Sequence, residues 1–220
     1  MFRVVSLLIL ITVGLASSCK TFDVPKNLPA DELLTLGKSL LDKKQYEAAA
    51  KTFDYLKTRY FYTYYAEEAH YYLAKTYFLW NKYEQALTEY ELFLSLYPES
   101  YYLEAVQLEM AICYYKMAPI HALDQSFTEK ALSMFNQFIE AFPNSSRIDE
   151  AKKYRQLCID KLALKDIAVA KFYLKNGHPK SALIYLQEVL EKYPETTLRE
   201  EVKELIAECE HRLHGEIQKN

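Results

Sequence analysis

Glycine and proline are scarce in this chain, with 4 and 7 residues among 220. That leaves little material for strands joined by tight turns, which draw on glycine for positive φ. Apart from Val4 to Gly14, no stretch approaches the roughly 18 apolar residues that a spanning helix requires. There is no excess of basic charge either: the formal net charge is −3, and loss of Arg3 makes it −4, so no field recruits nucleic acid. The chemistry of a reaction centre is missing as well. No glycine-rich phosphate loop, no G-x-S-x-G and no H-E-x-x-H is present. The five histidines are His70, His121, His178, His211 and His214. His211 and His214 lie beside Cys209 on one helical pattern, but no further ligand joins them to complete a metal site. The chain therefore reads as a non-enzyme with no catalytic residue, metal or cofactor. Cysteine is limited to Cys19, Cys113, Cys158 and Cys209, with no C-x-x-C. The last three sit in helical patterns on or near the apolar side, as small buried thiols or, alternatively, with two of them in one disulfide.

What is there begins with an address. Met1-Phe2-Arg3 is basic, Val4 to Gly14 is apolar, and Leu15-Ala16-Ser17-Ser18-Cys19 closes the run with small residues. That is the layout of a secretory signal. Its end on one cysteine resembles the bacterial lipobox, which implies cleavage after residue 18 and acylation of Cys19, with an ordinary cleaved signal peptide as the other reading. On this division residues 1–18 are the signal, 19–29 a lipidated linker, and 202 residues remain as the body.

Aromatic residues are abundant, with 20 Tyr and 11 Phe, and they fall into a repeat. The tetratricopeptide pattern is a helix–turn–helix unit of about 34 residues with anchors at fixed offsets. Unit one supplies Leu33, Leu36, Gly37, Leu40, Ala49, Phe53 and Leu56, with Phe61 in place of proline. Unit two supplies His70, Leu73, Ala74, Tyr77, Ala86, Tyr90, Phe93 and Pro98, in the same register 37 residues later. Small residues at two of these offsets let paired helices approach closely. Unit three carries Met110, Ala111 and Tyr114, then Ala131, Phe135, Phe138 and Pro143, with eight additional residues between its helices around Met117 to Gln125. Pro119 disfavours helix there, and Ser126-x-x-Glu129 has the form of a capping box that restarts it. From about Arg147 to Lys175 one uninterrupted helical pattern runs to Asn176-Gly177, a C-cap. Ala182, Leu186, Val189 and Pro194 follow as the answering helix, and Thr197-x-x-Glu200 opens a last one to about His214. The expected fold is all-α, a tetratricopeptide-repeat α-solenoid of about ten helices with one concave face.

In such arrays the first helix of each hairpin lines the groove. The groove positions include Leu34, Lys38 and Leu41 in unit one, Glu68, Tyr71, Lys75 and Phe78 in unit two, and Leu108, Ile112, Tyr115 and Lys116 in unit three. Lys38, Tyr71, Lys75, Phe78, Tyr115 and Lys116 are the candidate peptide-binding residues. Rings offer contact area at low entropic cost and an ammonium pairs with a terminal carboxylate. A second cluster is Tyr60-Phe61-Tyr62-Thr63-Tyr64-Tyr65; six consecutive positions cannot all point inward, so some rings are expected to stand exposed near the first hairpin and face a partner.

The lipobox ending at Cys19, the units from about Ala30, the hairpin endings Tyr97-Pro98, Phe142-Pro143-Asn144-Ser145 and Tyr193-Pro194-Glu195-Thr196, the loop with Ala122-Leu123-Asp124-Gln125 and the long helix together resemble the BamD family, lipoproteins of the outer-membrane β-barrel assembly machine. The resemblance implies a lipid anchor in the cell outer membrane facing the periplasm, where Lys20 after the cysteine is consistent with outer-membrane sorting. It also implies docking on a BamA-like barrel-assembly protein through residues 146–220. Residues 30–145 would recognise C-terminal targeting strands of unfolded outer-membrane proteins. Two other readings are a different periplasmic tetratricopeptide scaffold lipoprotein that coordinates the cell envelope, and a glycan-binding helical-repeat lipoprotein.

Overall fold

The computed structural model describes residues 22–217, and every regular element among them is a helix. Among these residues there are nine: α1 (Ala30–Asp42), α2 (Tyr46–Arg59), α3 (Tyr64–Leu79), α4 (Tyr83–Leu96), α5 (Leu103–Met117), α6 (Ser126–Ala141), α7 (Ile148–Lys175), α8 (Pro179–Lys192) and α9 (Arg199–Ile217). Each helix packs on the next in sequence, and α1, α3, α5 and α7 also pack on one another in order. The even helices have no comparable contacts among themselves, so α1, α3, α5 and α7 form the inner, more closely spaced layer.

The repeat anchors do the packing. Ala49, Ala74, Ala86, Ala111, Ala131 and Ala182 are fully buried, and Phe53, Tyr90, Phe93, Phe135 and Phe138 fill the space beside them. Close helix approach at the small residues is what brings the large rings into contact on all sides. Gly37 shows the constraint most sharply, because a Cβ built there would lie 2.5 Å from Cε1 of Phe53. Between units one and two, Lys57 of α2 and His70 of α3 reach the same carboxylate, Glu89 of α4, at 2.8 and 2.9 Å. Burial pushes the Glu89 carboxyl up, but the adjacent His70 and the Lys57 ammonium that donates to it outweigh this and hold the group below its ordinary value.

Turns repeat as well as helices. Lys44, Asn81 and Gly177 occupy the same place after α1, α3 and α7, and all three have positive φ, 57°, 60° and 76°. Glycine and asparagine adopt that conformation readily, whereas Lys44 is held there by the hydrogen bonds Lys44 N to Leu41 O and Gln45 N to Leu40 O. The turn after α5 is replaced by residues 118–125. Buried Gln125 organises this loop by donating to the carbonyls of Ile120 and Leu123 and accepting from Thr128 Oγ1.

Neither expected capping box forms. The Asp124 carboxylate accepts from both the amide and hydroxyl of Ser126 and is held below its ordinary pKa by those bonds. Thr197 is taken by Asp160 of α7, 2.8 Å from both its amide and its hydroxyl. In each case a nearer carboxylate outcompetes the glutamate three residues on.

A different cap recurs instead. Ser100, Ser145 and Thr196 follow the proline of each hairpin ending, and their hydroxyl oxygens accept from the amides of Tyr102, Arg147 and Leu198. Each hydroxyl also donates to a carboxylate of the preceding odd helix: Glu67 and Glu104 at 2.5 Å and Asp160 at 2.8 Å. Thus one side chain caps the incoming helix and ties it to its predecessor. Ser145→Ala is expected to cost about 0.5–2 kcal/mol, the range for a lost N-cap, read as a lowered urea midpoint at unchanged m-value; Ser145→Thr should retain most of the stability.

The three described cysteines are free and buried, each in a separate part of the core. Burial pushes the thiols of Cys113 and Cys158 up to about 12, and raises Cys209 as well. Alkylation of Cys113 and Cys158 with iodoacetamide at pH 8 should therefore be at least about a hundredfold slower in the native protein than in urea, since the thiolate is the reactive form. Mass spectrometry of the two samples checks this.

Candidate functional site: the inner face

Cys19 lies outside the described residues. The other six expected residues are distributed along the inner layer, on α1 (Lys38), α3 (Tyr71, Lys75, Phe78) and α5 (Tyr115, Lys116).

Tyr71 does not stand in a groove. It is 4 % exposed, and its ring stacks on Tyr102 at 4.2 Å and 15°. The turn leading into α5 folds over it, so it belongs to the core and is withdrawn from the binding set. Burial, then the nearby Glu109 carboxylate, raises its hydroxyl far above the ordinary range. Leu34, Leu41, Leu108 and Ile112 are also buried. Because odd helices pack directly on one another, apolar residues at these offsets seal the units together, and the inner face is less apolar than expected.

Lys38 and Lys75 are present on the face but already paired. Lys38 bonds Glu68 of α3 and sits 4.7 Å over the ring of Tyr72. Lys75 donates to the Tyr71 hydroxyl at 3.1 Å and lies 3.9 Å from Glu109 of α5. Glu109 is the centre of this ladder. It is 3 % exposed, accepts from Tyr90 of α4 at 2.5 Å and pairs with Arg147 at 3.2 Å, which in turn bonds Glu150 at 2.9 Å. Burial lowers the Arg147 pKa, but Glu150 and Glu109 more than offset it, and the guanidinium is held above its ordinary value. Burial and the same carboxylate keep the Tyr90 hydroxyl protonated, far above its usual pKa.

The freer charge lies at α5 and α7. Lys116 is exposed, 5.9 Å from the ring of Tyr154. Tyr154 meets Tyr115 edge to face at 5.2 Å, and Lys161 lies 5.7 Å from the Tyr115 ring while donating to the carbonyl of Ala118 at 3.0 Å. Burial lowers the Lys161 pKa below its ordinary value. Neither lysine has a carboxylate within ion-pair distance among the described residues. Phe78 packs half-buried against the same hydrophobic cluster as Tyr115 and Tyr154. Two ammonium groups beside two phenol rings have the chemistry that pairs with a carboxylate and an aromatic side chain.

Tyr154 and Lys161 escape a unit-by-unit reading because they sit on α7, before the part of that helix that fits the repeat. Glu109 escapes it because acidic residues on helices are ordinarily solvated. The proline followed two residues on by Ser or Thr at three hairpin ends is the visible sign of the recurring cap, though not of its carboxylate partner. Among the described residues no group of three or more His, Cys, Asp or Glu is arranged to hold a metal ion, and no helix is long and apolar enough to cross a membrane.

The family model described as YfiO, outer membrane lipoprotein, matches residues 26–220. The chain is 25 % identical over 169 residues to the outer membrane protein assembly factor BamD of Caulobacter vibrioides, covering 77 % of this chain and 55 % of that protein, so it spans about half that relative's length. It is 28 % identical over 190 residues to the factor of the same name from Rickettsia prowazekii, covering 85 % and 76 %. Among solved structures, a thermophilic TPR protein of Thermus thermophilus is 19 % identical with a TM-score of 0.45, covering 84 % of this chain and 99 % of that one.

Proposed function

The chain belongs to the YfiO outer membrane lipoprotein family, and from that premise we propose that it is a lipid-anchored, non-enzymatic component of the machinery that assembles β-barrel proteins into the outer membrane. Acylated Cys19 holds it on the periplasmic side. Residues 30–145, joined by Tyr154 and Lys161 of α7, receive the C-terminal targeting strands of unfolded outer-membrane proteins, and the remainder of residues 146–220 docks on a BamA-like barrel-assembly protein. The likeness to BamD assembly factors over 169 and 190 residues, together with the family match across residues 26–220, supports the assembly role. Support for strand recognition comes from the rings of Tyr115 and Tyr154 flanked by Lys116 and Lys161, which suit a chain end bearing an aromatic side chain and a free carboxylate. Lys38, Lys75 and Phe78 extend that face along α1 and α3, with Lys38 and Lys75 in a structural more than a contact role.

Affinity purification of the tagged lipoprotein from membranes tests the assembly role: a barrel-assembly protein should travel with it, and its absence would remove the reading. Strand recognition has its own test. The double substitution Lys116→Gln and Lys161→Gln should weaken binding of a peptide ending in phenylalanine by about tenfold or more, the worth of one lost charged hydrogen bond. Fluorescence anisotropy measures it, with circular dichroism unchanged. A peptide amidated at its C-terminus should lose as much with the unaltered protein and show no further loss with the variant. Lys75→Glu is unsuited to this purpose, since it would set a second carboxylate against buried Glu109.

A further inference from the structure

The four turns that lead into α3, α5, α7 and α9 are related in sequence, with Thr63, Ser100, Ser145 and Thr196 at equivalent places. Their outer surfaces differ. In the first two, Tyr62 is 90 % and Tyr101 93 % exposed, and Phe61 and Tyr64 stand well out beside them. At the places of Tyr62 and Tyr64 the later turns have Asn144 and Ser146, then Glu195 and Thr197. Nothing in the fold requires exposed rings there, since the later turns close without them. The Ser100–Glu67 hydrogen bond draws the second turn against the first turn of α3, which begins at Tyr64, so the rings share one edge.

That edge is where the polypeptide leaves toward its N-terminus. Phe22, Val24 and Leu28 pack on the core of the first hairpin, and the carbonyl of Leu28 accepts from the Tyr60 hydroxyl at 3.4 Å. Only Lys20 and Thr21 separate docked Phe22 from Cys19, a span of at most about 11 Å. If acyl chains enter a bilayer at Cys19, the first hairpin is held against its surface. Tyrosine and phenylalanine combine an apolar body with, in tyrosine, a polar tip, and tyrosine is the type enriched at the membrane–water interface.

We infer that Phe61, Tyr62, Tyr64 and Tyr101 form an interfacial edge that seats in the headgroup layer of the phospholipid bilayer and orients the array on the membrane. The inference rests on the lipid-anchor reading above. Charges of both signs lie in these segments, Lys26 and Arg59 against Asp23, Asp31, Glu32, Glu67 and Glu99, with no basic excess to draw anionic headgroups, so the contact is carried by rings and should survive about 0.5 M salt.

The test uses the mature acylated protein reconstituted in vesicles of phosphatidylethanolamine and phosphatidylglycerol. A bimane is attached to Tyr62→Cys in one sample and to Thr197→Cys in another; the native thiols at 113, 158 and 209 are buried and do not compete. With lipid carrying a nitroxide near the headgroup, bimane at 62 should be quenched at least threefold more than bimane at 197, with or without salt. Equal quenching at both positions, whether strong or absent, overturns the inference. So does a bimane at 62 that ignores the nitroxide but responds to an added envelope protein, which would make the edge a protein contact. Failure of the anchor itself is seen separately, because the protein would then not float with the vesicles and Cys19→Ser would change nothing.

Discussion

Glu109→Ala is expected to destabilise the protein by about 3–5 kcal/mol, the cost of removing one partner from a buried ionic network. The carboxylate joins three helices and a turn: it lies on α5, accepts from Tyr90 of α4, and pairs with Lys75 of α3 and with Arg147 in the turn before α7. Truncation leaves the buried Tyr90 hydroxyl without an acceptor and two cations facing each other across the vacated site. Glu109→Gln keeps the volume and an acceptor oxygen and should cost less, while Tyr90→Phe, which removes only the donor, should stay near about 1 kcal/mol. Urea titrations followed by circular dichroism rank the three. A loss below about 1 kcal/mol for Glu109→Ala would mean that apolar packing alone aligns units two and three.

Gly37→Ala is expected to destabilise by about 1–3 kcal/mol, the range for overpacking a filled core. This reverses the usual sign, since alanine in a helix interior normally gains up to about 1 kcal/mol over glycine. The added methyl meets the ring of Phe53 at 2.5 to 2.9 Å, and that ring is fully buried and stacked on Tyr72 at 5.5 Å. It has nowhere to go without parting α1 from α2. Pairing Gly37→Ala with Phe53→Leu should recover part of the loss, and thermal midpoints of the two singles and the double measure the coupling. Additive effects would place the strain elsewhere.

Much of the fold is legible in the chain because helix pairing leaves a periodic record. Gly37, Ala49 and Phe53, the small and large anchors of unit one, are the residues whose atoms meet in the core. The helix expected from about Arg147 to Lys175 is α7, and Gly177 turns with positive φ where Asn176-Gly177 reads as a C-cap. The exposed rings near the first hairpin also follow from simple crowding of six aromatic positions. The candidate site is less legible. Tyr71 carries the same offset as a groove residue in any unit of this kind, and only its stacking on Tyr102 removes it.

Local order and the identity of the core were set by the sequence itself, since side-chain size at a fixed helical spacing determines which faces can close on one another. The partners of the polar groups were decided only in three dimensions. Glu109 looks in sequence like any solvated glutamate, and Lys75 like any free lysine. Pairs such as Glu109–Arg147 and Asp160–Thr196 join residues 36 to 38 positions apart, about one repeat, so the period tells which units adjoin but not which polar side chains on them meet. Charge pairing depends on distances of a few ångströms, and those exist only once the helices have stacked.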